Sequence, residues 1–178
     1  MQSDSIPSLD SLEYIAYLDD GGVIPSELQG KIAVYAIFDR DRQLQFVGYS
    51  RDVYLSLKQH LMRRSQLCHW LKLQIISRPS RAILEEIRQA WIEENGCIPI
   101  GNSTDEAKWT QAIDAKQEMT IEEKEALAAA DELGKIKLLK QVARRVGATI
   151  EAEIENRGAN MDLRFNPKLK EEGLLDLK

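Results

Sequence analysis

The chain is predicted to be an α+β protein: a small, mainly antiparallel three-stranded central sheet flanked by helices, followed by a largely helical C-terminal extension. Three observations carry that expectation. The runs Lys31 to Phe38, Leu44 to Ser50 and Trp70 to Ile76 are β-branched or aromatic and bounded by turn residues. Between and after them, apolar residues recur at threes and fours behind good capping residues. From Thr120 onward only the helical period is seen. With 178 residues, 43% of them hydrophobic, the chain holds enough apolar surface for one domain and a substantial extension.

Taken in order, Ser8 to Leu18 places apolar residues at Leu9, Leu12, Ile15, Ala16 and Leu18, which suits a short helix or a packing arm, and Gly21-Gly22 and Pro25 break it. Residues 1–29 are read as this N-terminal arm. Lys31 to Phe38 is apolar on both faces, as a buried strand is, and Asp39-Arg40-Asp41-Arg42 turns it into the returning strand Leu44 to Ser50. Asp52 caps a helix running to Arg63, with Val53, Leu57 and Leu61 four apart on its inner face. In Trp70 to Ile76, Leu71, Leu73 and Ile75 share one face while Lys72 and Gln74 point the other way. Ser80 caps the next helix, which carries Ile83, Leu84, Ile87 and Trp91 and stops at Gly96. Ile98 to Met119 has no clear period and is expected to be loop with short turns. Thr120 with Glu123 is a capping box. After Gly134 the stripe Ile136, Leu139, Ala143, Val146, Ile150 and Ile154 reads as one helix face that packs on the sheet rather than a dimerisation seam, because only about three heptads are present and Gly147 interrupts them. Met161 to Phe165 is expected to be a last strand, before a charged tail closing on Leu174, Leu175 and Leu177.

No window has the apolar length of a bilayer span, and Met1-Gln2-Ser3-Asp4 offers neither a basic region nor an apolar run for secretion. Two cysteines, Cys68 and Cys97, are too few for a disulfide framework and suit a reducing compartment, so cytoplasm is the expected location and no membrane partner is expected. A net charge of −5 argues against indiscriminate coating of nucleic acid. The charge is uneven, however. From Arg51 to Arg81 seven basic residues face the single acid Asp52. Such separation fits either a local phosphate-binding face, with Arg51, Lys58, Arg63 and Arg64 as its candidates, or a solvated helix surface.

Ala33-Val34-Tyr35, then Phe46-Val47-Gly48-Tyr49-Ser50, Asp52-Val53, His60 and finally Pro99-Ile100-Gly101-Asn102 together resemble the GIY-YIG nuclease superfamily. The match covers roughly residues 30–102, within a domain assigned to 30–105. Residues 106–178 form the helical extension, expected to pack on it. Over its full length the chain is similar to small proteins of that superfamily from cyanobacteria and plastids. The resemblance implies phosphodiester cleavage with one divalent metal, Mg2+ or Mn2+ if the site is active. It implies that Tyr35 helps orient or activate water, that His60 relays a proton or binds phosphate, and that Asn102 orients the site by hydrogen bonds. A phenol needs an electropositive setting for that task. Taken singly, the three read as a core tyrosine, a helix-end histidine and a turn asparagine, and only their joint spacing lifts the functional reading.

Several positions depart from the family pattern. Phe46 stands where the family has its second motif tyrosine, and Ser56 where it has an arginine that steadies the transition state. Losing such a donor costs on the order of a hundredfold or more in rate. Lys58, two residues along the helix from Ser56, faces elsewhere. Counting back from Trp91-Ile92 to the metal-binding glutamate of the family reaches Arg88, which leaves Glu85 and Glu86 as candidate metal ligands in a shifted register. Glu85 and Arg88 are three apart, which reads first as an ordinary surface ion pair and otherwise as two groups facing one cleft. Cys68-His69 with Cys97 lacks a fourth metal ligand, Ser50 and Ser56 with His60 lack an oxyanion motif, and Gly21-Gly22 lacks the lysine of a phosphate loop. Three functions follow as expectations: a nucleic-acid-binding domain with a decayed cleavage site, an active metal-dependent endonuclease using Tyr35, His60, Glu85 and Arg88, or an interaction module recruiting a protein or a second copy through the Ile136-to-Ile154 stripe.

Overall fold

The computed structural model describes residues 6–178; Met1 to Ser5, including the stretch inspected for a secretory signal, lie outside the described residues. The chain divides into two compact units, one reaching Thr110 and the other spanning Gln111–Lys178. The protein is α+β, with an antiparallel sheet of four strands rather than three and a helical C-terminal part.

In the first unit the strands are β1 (Ile15–Ala16), β2 (Ile32–Phe38), β3 (Leu44–Ser50) and β4 (Trp70–Ile76), ordered β1-β4-β2-β3. β2 is nearly all buried, as its two-sided apolar pattern requires. It pairs with β3 through Tyr35↔Gly48 and with β4 through Tyr35↔Leu73. The hairpin turn is set by Asp39, whose Oδ1 accepts from the amides of Asp41 and Gln43 at 2.9 Å each. α1 (Val53–Arg63) begins where the Asp52 carboxylate accepts from the Leu55 amide, and α2 (Arg81–Asn95) where Ser80 Oγ accepts from the Ile83 amide. Gly96, at φ 85°, ends α2 in the left-handed region that favours glycine.

Each face of this sheet has its own cover. Val34, Ala36, Phe38 and Val47 form one core with Leu84, Ile87, Trp91 and Ile92 of α2 and with Leu9 of the arm. The alternate residues Tyr35, Phe46 and Gly48 point to the opposite face, where α1 supplies the buried Leu57, His60 and Leu61.

The segment expected to be a short helix or packing arm is an arm. Its only regular element is β1, which adds to the β4 edge through Ile15↔Leu71 and Ala16↔Trp70. Glu94 Oε1 and Oε2 accept from the amides of Leu9 and Asp10 at 2.9 and 2.8 Å, and Trp91 Nε1 donates to the Pro7 carbonyl at 2.9 Å. Lys72, assigned to a polar face, is buried: the arm covers it, its Nζ donates to the Leu9 carbonyl at 3.0 Å and lies 4.2 Å from the Tyr14 ring centroid. It is thereby removed from any phosphate-binding face.

Ile98 to Met119 is more ordered than expected. A 3-10 turn at Ile100–Asn102, a short helix α3 (Glu106–Thr110), a two-residue strand β5 (Ile113–Asp114) and a 3-10 turn at Ala115–Glu118 occupy it. In the second unit, α4 (Ile121–Ala129) starts at the Thr120–Glu123 capping box, and α5 (Glu132–Asn156) at Asp131, which accepts from the Gly134 amide at 2.7 Å. Of the apolar stripe of α5, Ala143, Val146 and Ile154 are buried and Ile136, Leu139 and Ile150 half-buried; Ala143 and Val146, with Val142, pack with Ala115, Met119 and Leu175 in this unit's own core. Met161 to Phe165 is not a strand. Asp162 pairs with Arg164, and only Phe165 bridges, to Leu177. After α6 (Pro167–Lys170), the strand is β6 (Leu174–Leu175), paired with β5. Gly173 at φ 72° turns the chain into it. Among the described residues no helix is long and apolar enough to cross a membrane.

Candidate functional site

The sheet face below α1 opens into a cleft of about 430 Å³ within the first unit, lined by Tyr35, Phe46, Gly48, Ser56, His60, Arg63, Glu85, Arg88 and Asn102 among others. Strands β2 and β3 supply its floor because the two-residue strand period sends Tyr35, Phe46 and Gly48 to one side. Ser56, His60 and Arg63 are four and three residues apart, so α1 presents them on one flank.

At the floor, Tyr35 Oη lies 2.7 Å from His60 Nε2, and both side chains are buried. Gly48 makes room for them. A Cβ there would lie 2.6 Å from Phe46 Cε1 and 2.9 Å from Tyr35 Oη. Burial pushes the Tyr35 phenol well above its ordinary value of 10.0, while the Ser56 hydroxyl and the Arg63 and Arg88 charges pull the other way and lose. His60 is pulled down to about 3, first by burial and then by the Arg63 charge; the Trp109 carbonyl opposes this weakly. At neutral pH the pair is therefore a neutral phenol against a neutral imidazole. It can hold and accept hydrogen bonds, but it carries neither a phenolate nor a cation.

Phe46 keeps its ring stacked on Trp109, with centroids 5.2 Å apart and planes 3° from parallel. Trp109 is fully buried in α3 and touches His60 with ring centroids 5.5 Å apart. Its carbonyl accepts from Arg63 Nη1 at 2.9 Å, so that guanidinium both lines the cleft and holds α3. The Ser56 and Ser50 hydroxyls lie 2.7 Å apart, and Ser50 Oγ accepts from the Asp52 amide at 3.1 Å. A short hydroxyl network therefore fills the position at which the resemblance implies a cation.

Asn102 works through the backbone. Its Oδ1 accepts from the Val47 amide and its Nδ2 donates to the Val47 carbonyl, both at 2.8 Å, in place of a neighbouring strand on the open β3 edge. Gly101 lets the turn come that close, since a Cβ there would lie 2.3 Å from the Gln45 carbonyl oxygen.

On the opposite wall, Glu85 and Arg88 both line the cleft and pair with each other, Oε1 to Nη1 at 3.0 Å. The two readings of their spacing hold at once. Glu86 is exposed and does not line the cleft. Among the described residues no group of three or more His, Cys, Asp or Glu side chains could hold a metal ion. A magnesium-type site can use one carboxylate with substrate phosphates, but here that carboxylate is already held by Arg88. The residues present fit a divalent ion poorly.

The basic candidates separate. Arg63 reaches the cleft; Arg64 pairs with Asp105 at 3.8 Å; Lys58 lies 5.9 Å from the Tyr54 ring; Arg51 is exposed and is not part of the lining. Gln59, Glu106 and Thr110 also line the cleft, and Trp109 backs it, none of them foreseen. Only the place of Gln59 beside His60 could have suggested it.

No protein-family model matches the chain. It is similar to the protein named bifunctional monothiol glutaredoxin-S16, chloroplastic, of Arabidopsis thaliana, being 39% identical over 75 residues. That match takes in 40% of this chain and 26% of the relative, so the chain spans about a quarter of the relative's length.

Neither Cys68 nor Cys97 is in a disulfide. Cys68 is buried and its Sγ donates to the His60 carbonyl at 3.5 Å, whereas Cys97 is exposed beside Asn95. The central sheet is wholly antiparallel and contains no βαβ unit, the setting in which a Cys-x-x-Cys motif is read as a thioredoxin-like redox site.

Proposed function

We propose that this chain is a nucleic-acid-binding protein on a GIY-YIG-like fold whose cleavage centre is weak or lost. The observation that carries the reading is the convergence, in one cleft, of Tyr35, Ser56, His60, Arg88 and Asn102 from four separate elements, with Arg63 and Arg88 as cations at its mouth. Two guanidiniums in a cleft with neutral Tyr35, Ser56, His60 and Asn102 can contact a phosphate backbone, with Glu85 and Glu106 as the carboxylates it would have to approach. Neutral Tyr35 and neutral His60 supply no activated base or acid, and Ser56 supplies no charge to a phosphorane. The test is titration of the whole chain with duplex, branched and single-stranded DNA and RNA, followed by backbone amide signals. Signals from Arg51 to Arg64 are expected to move. Arg63→Ala and Arg88→Ala are each expected to lower the salt dependence of binding by about one counterion. Unmoved signals with every substrate would sink the proposal.

A second reading has one observation in its favour: Glu85 is in the cleft with Tyr35 and His60. In it the protein is an endonuclease with a rearranged centre that uses Mg2+ or Mn2+. Nicking with either ion, abolished by Tyr35→Phe and by Glu85→Gln, supports it; no cleavage of any substrate rejects it. The relative's printed name includes a thiol function, which is said of that protein alone. For location we propose a reducing aqueous compartment. The cytoplasm meets that condition, as does the plastid named for the relative. Cell fractionation decides between them, and recovery in an oxidising compartment rejects both.

A further inference from the structure

The apolar stripe of α5 is buried or half-buried, but the opposite face of the same helix carries an ordered pattern of charge. Lys137, Arg144, Glu151 and Glu155 are all exposed. At about 100° per residue they lie within roughly 40° of one another around the axis, in one straight line. None has an ion-pair partner among the described residues, although the neighbouring Lys140 and Arg145 are paired with Glu171 and Glu123. The line is basic in its first half and acidic in its second. Its acidic half sits toward the negative end of the helix dipole, where the C-cap is Arg157 and no basic residue occupies the last turn itself.

The geometry points to a second copy of this chain as the partner of this line. We infer that two α5 helices pair antiparallel, outer face to outer face, about a two-fold axis that crosses the helix at the level of the inward-facing Val146. The sequence is self-complementary about that point. Lys137 lies nine residues before Val146 and Glu155 nine after, so each lysine meets the glutamate of the other copy. Gln141 likewise meets Glu151, and Arg144 crosses beside the small Ala148, which lets the helices approach. Contact of this kind is isologous, every pair occurring twice, and it sets the two helix dipoles antiparallel. Its length from Lys137 to Glu155 is about 27 Å. A contact of that size between two helices is small by the standard of stable dimers, so the association is weak and salt-sensitive. The inference goes beyond the nucleic-acid reading and does not depend on it.

The test is sedimentation equilibrium of the full chain at roughly 100 μM in low salt. The wild type is expected to dimerise there and to dissociate at about 0.5 M salt. Lys137→Glu alone and Glu155→Lys alone each place like charges at both symmetric contacts and are expected to weaken the dimer about tenfold or more. Mixing the two single variants restores opposite charges at both contacts, so a heterodimer is expected where neither variant self-associates. The double variant, with both changes in one chain, is expected to regain the homodimer. A monomeric wild type at low salt, charge-reversed variants that dimerise like wild type, or a mixture that stays monomeric would each overturn the inference. All the altered residues are exposed, and helical circular dichroism checks that each variant folds; the salt response of the wild type tests the proposal without any variant.

Discussion

Lowering the pH from 7 to 5 is expected to destabilise the first unit through His60 alone by about 2 kcal/mol. The imidazole titrates at about 3 in the folded protein against an ordinary value of 6.5, because it is buried between Tyr35, Phe46 and Trp109 and faces the Arg63 charge. Between those two values the unfolded chain holds a proton that the folded chain excludes. Stability therefore falls as pH falls, by about 1.4 kcal/mol per unit once the unfolded histidine is fully protonated. It is fully present above about pH 6.5, and the loss ends near pH 3. All three tryptophans, Trp70, Trp91 and Trp109, belong to the first unit, so their fluorescence follows its unfolding without interference from the second. Urea midpoints of wild type and His60→Gln at pH 7 and 5 isolate the contribution from that of the carboxylates, and the variant's loss is expected to be about 2 kcal/mol smaller. The His60 Cε1 proton provides a check that needs no variant. If it titrates near 6.5 in the folded protein, or if both proteins lose the same stability, the neutral Tyr35–His60 pair is wrong, and with it the reason for doubting acid–base catalysis.

Three other outcomes follow from the same site. Gly48→Ala is expected to cost about 1–3 kcal/mol and to shift the Tyr35 ring signals, since the added methyl would overlap Phe46 and Tyr35; unchanged stability and unchanged ring shifts would refute the close approach. Asn102→Ala is expected to cost about 2 kcal/mol in urea unfolding by leaving the Val47 amide and carbonyl without their side-chain partner, and Asn102→Asp, which can accept but not donate, should fall between. Ser56→Arg is expected to lower the Tyr35 pKa by about 1–3 units in a phenolate absorbance titration and to raise the salt dependence of nucleic-acid binding by about one counterion. An unaltered titration would mean that this position does not control the phenol.

The sequence was legible where structure is written locally. Asp52, Ser80, Gly96 and the Thr120–Glu123 pair act within one helical turn, and each of them does in the structure what its residue type allows. The strands β2, β3 and β4 carry their burial in their own composition. β1 was illegible because two residues have no period, and its partner is the distant β4. Lys72 was misread for the same reason. A lysine in an alternating strand signals the wet face unless something far away covers it, and here Leu9 and Tyr14 do. Trp109 lies in a segment with no pattern at all, and its place behind Phe46 depends on α3 being held by Arg63.

The cleft holds its polar groups neutral around Ser56, the position at which the resemblance implies an arginine. With serine at position 56, the charges nearest to the Tyr35 phenol are Arg63 and Arg88, and each is already engaged, one by the Trp109 carbonyl and the other by Glu85. Their pull on the phenol loses to burial, so the hydroxyl keeps its proton and spends it within hydrogen-bond reach of His60. His60, also buried, gains nothing from becoming a cation beside Arg63. Each group is therefore stable in its neutral form because burial outweighs the charges beside it. A ligand phosphate would act on that balance through the Arg63 and Arg88 guanidiniums, whose partners include the Trp109 carbonyl and the half-exposed Glu85 carboxylate. These are the contacts a phosphate can compete for at low cost, whereas ionising Tyr35 or His60 requires charging a group that burial holds neutral. On the proposed reading, that order of costs would favour binding of a phosphate over its cleavage.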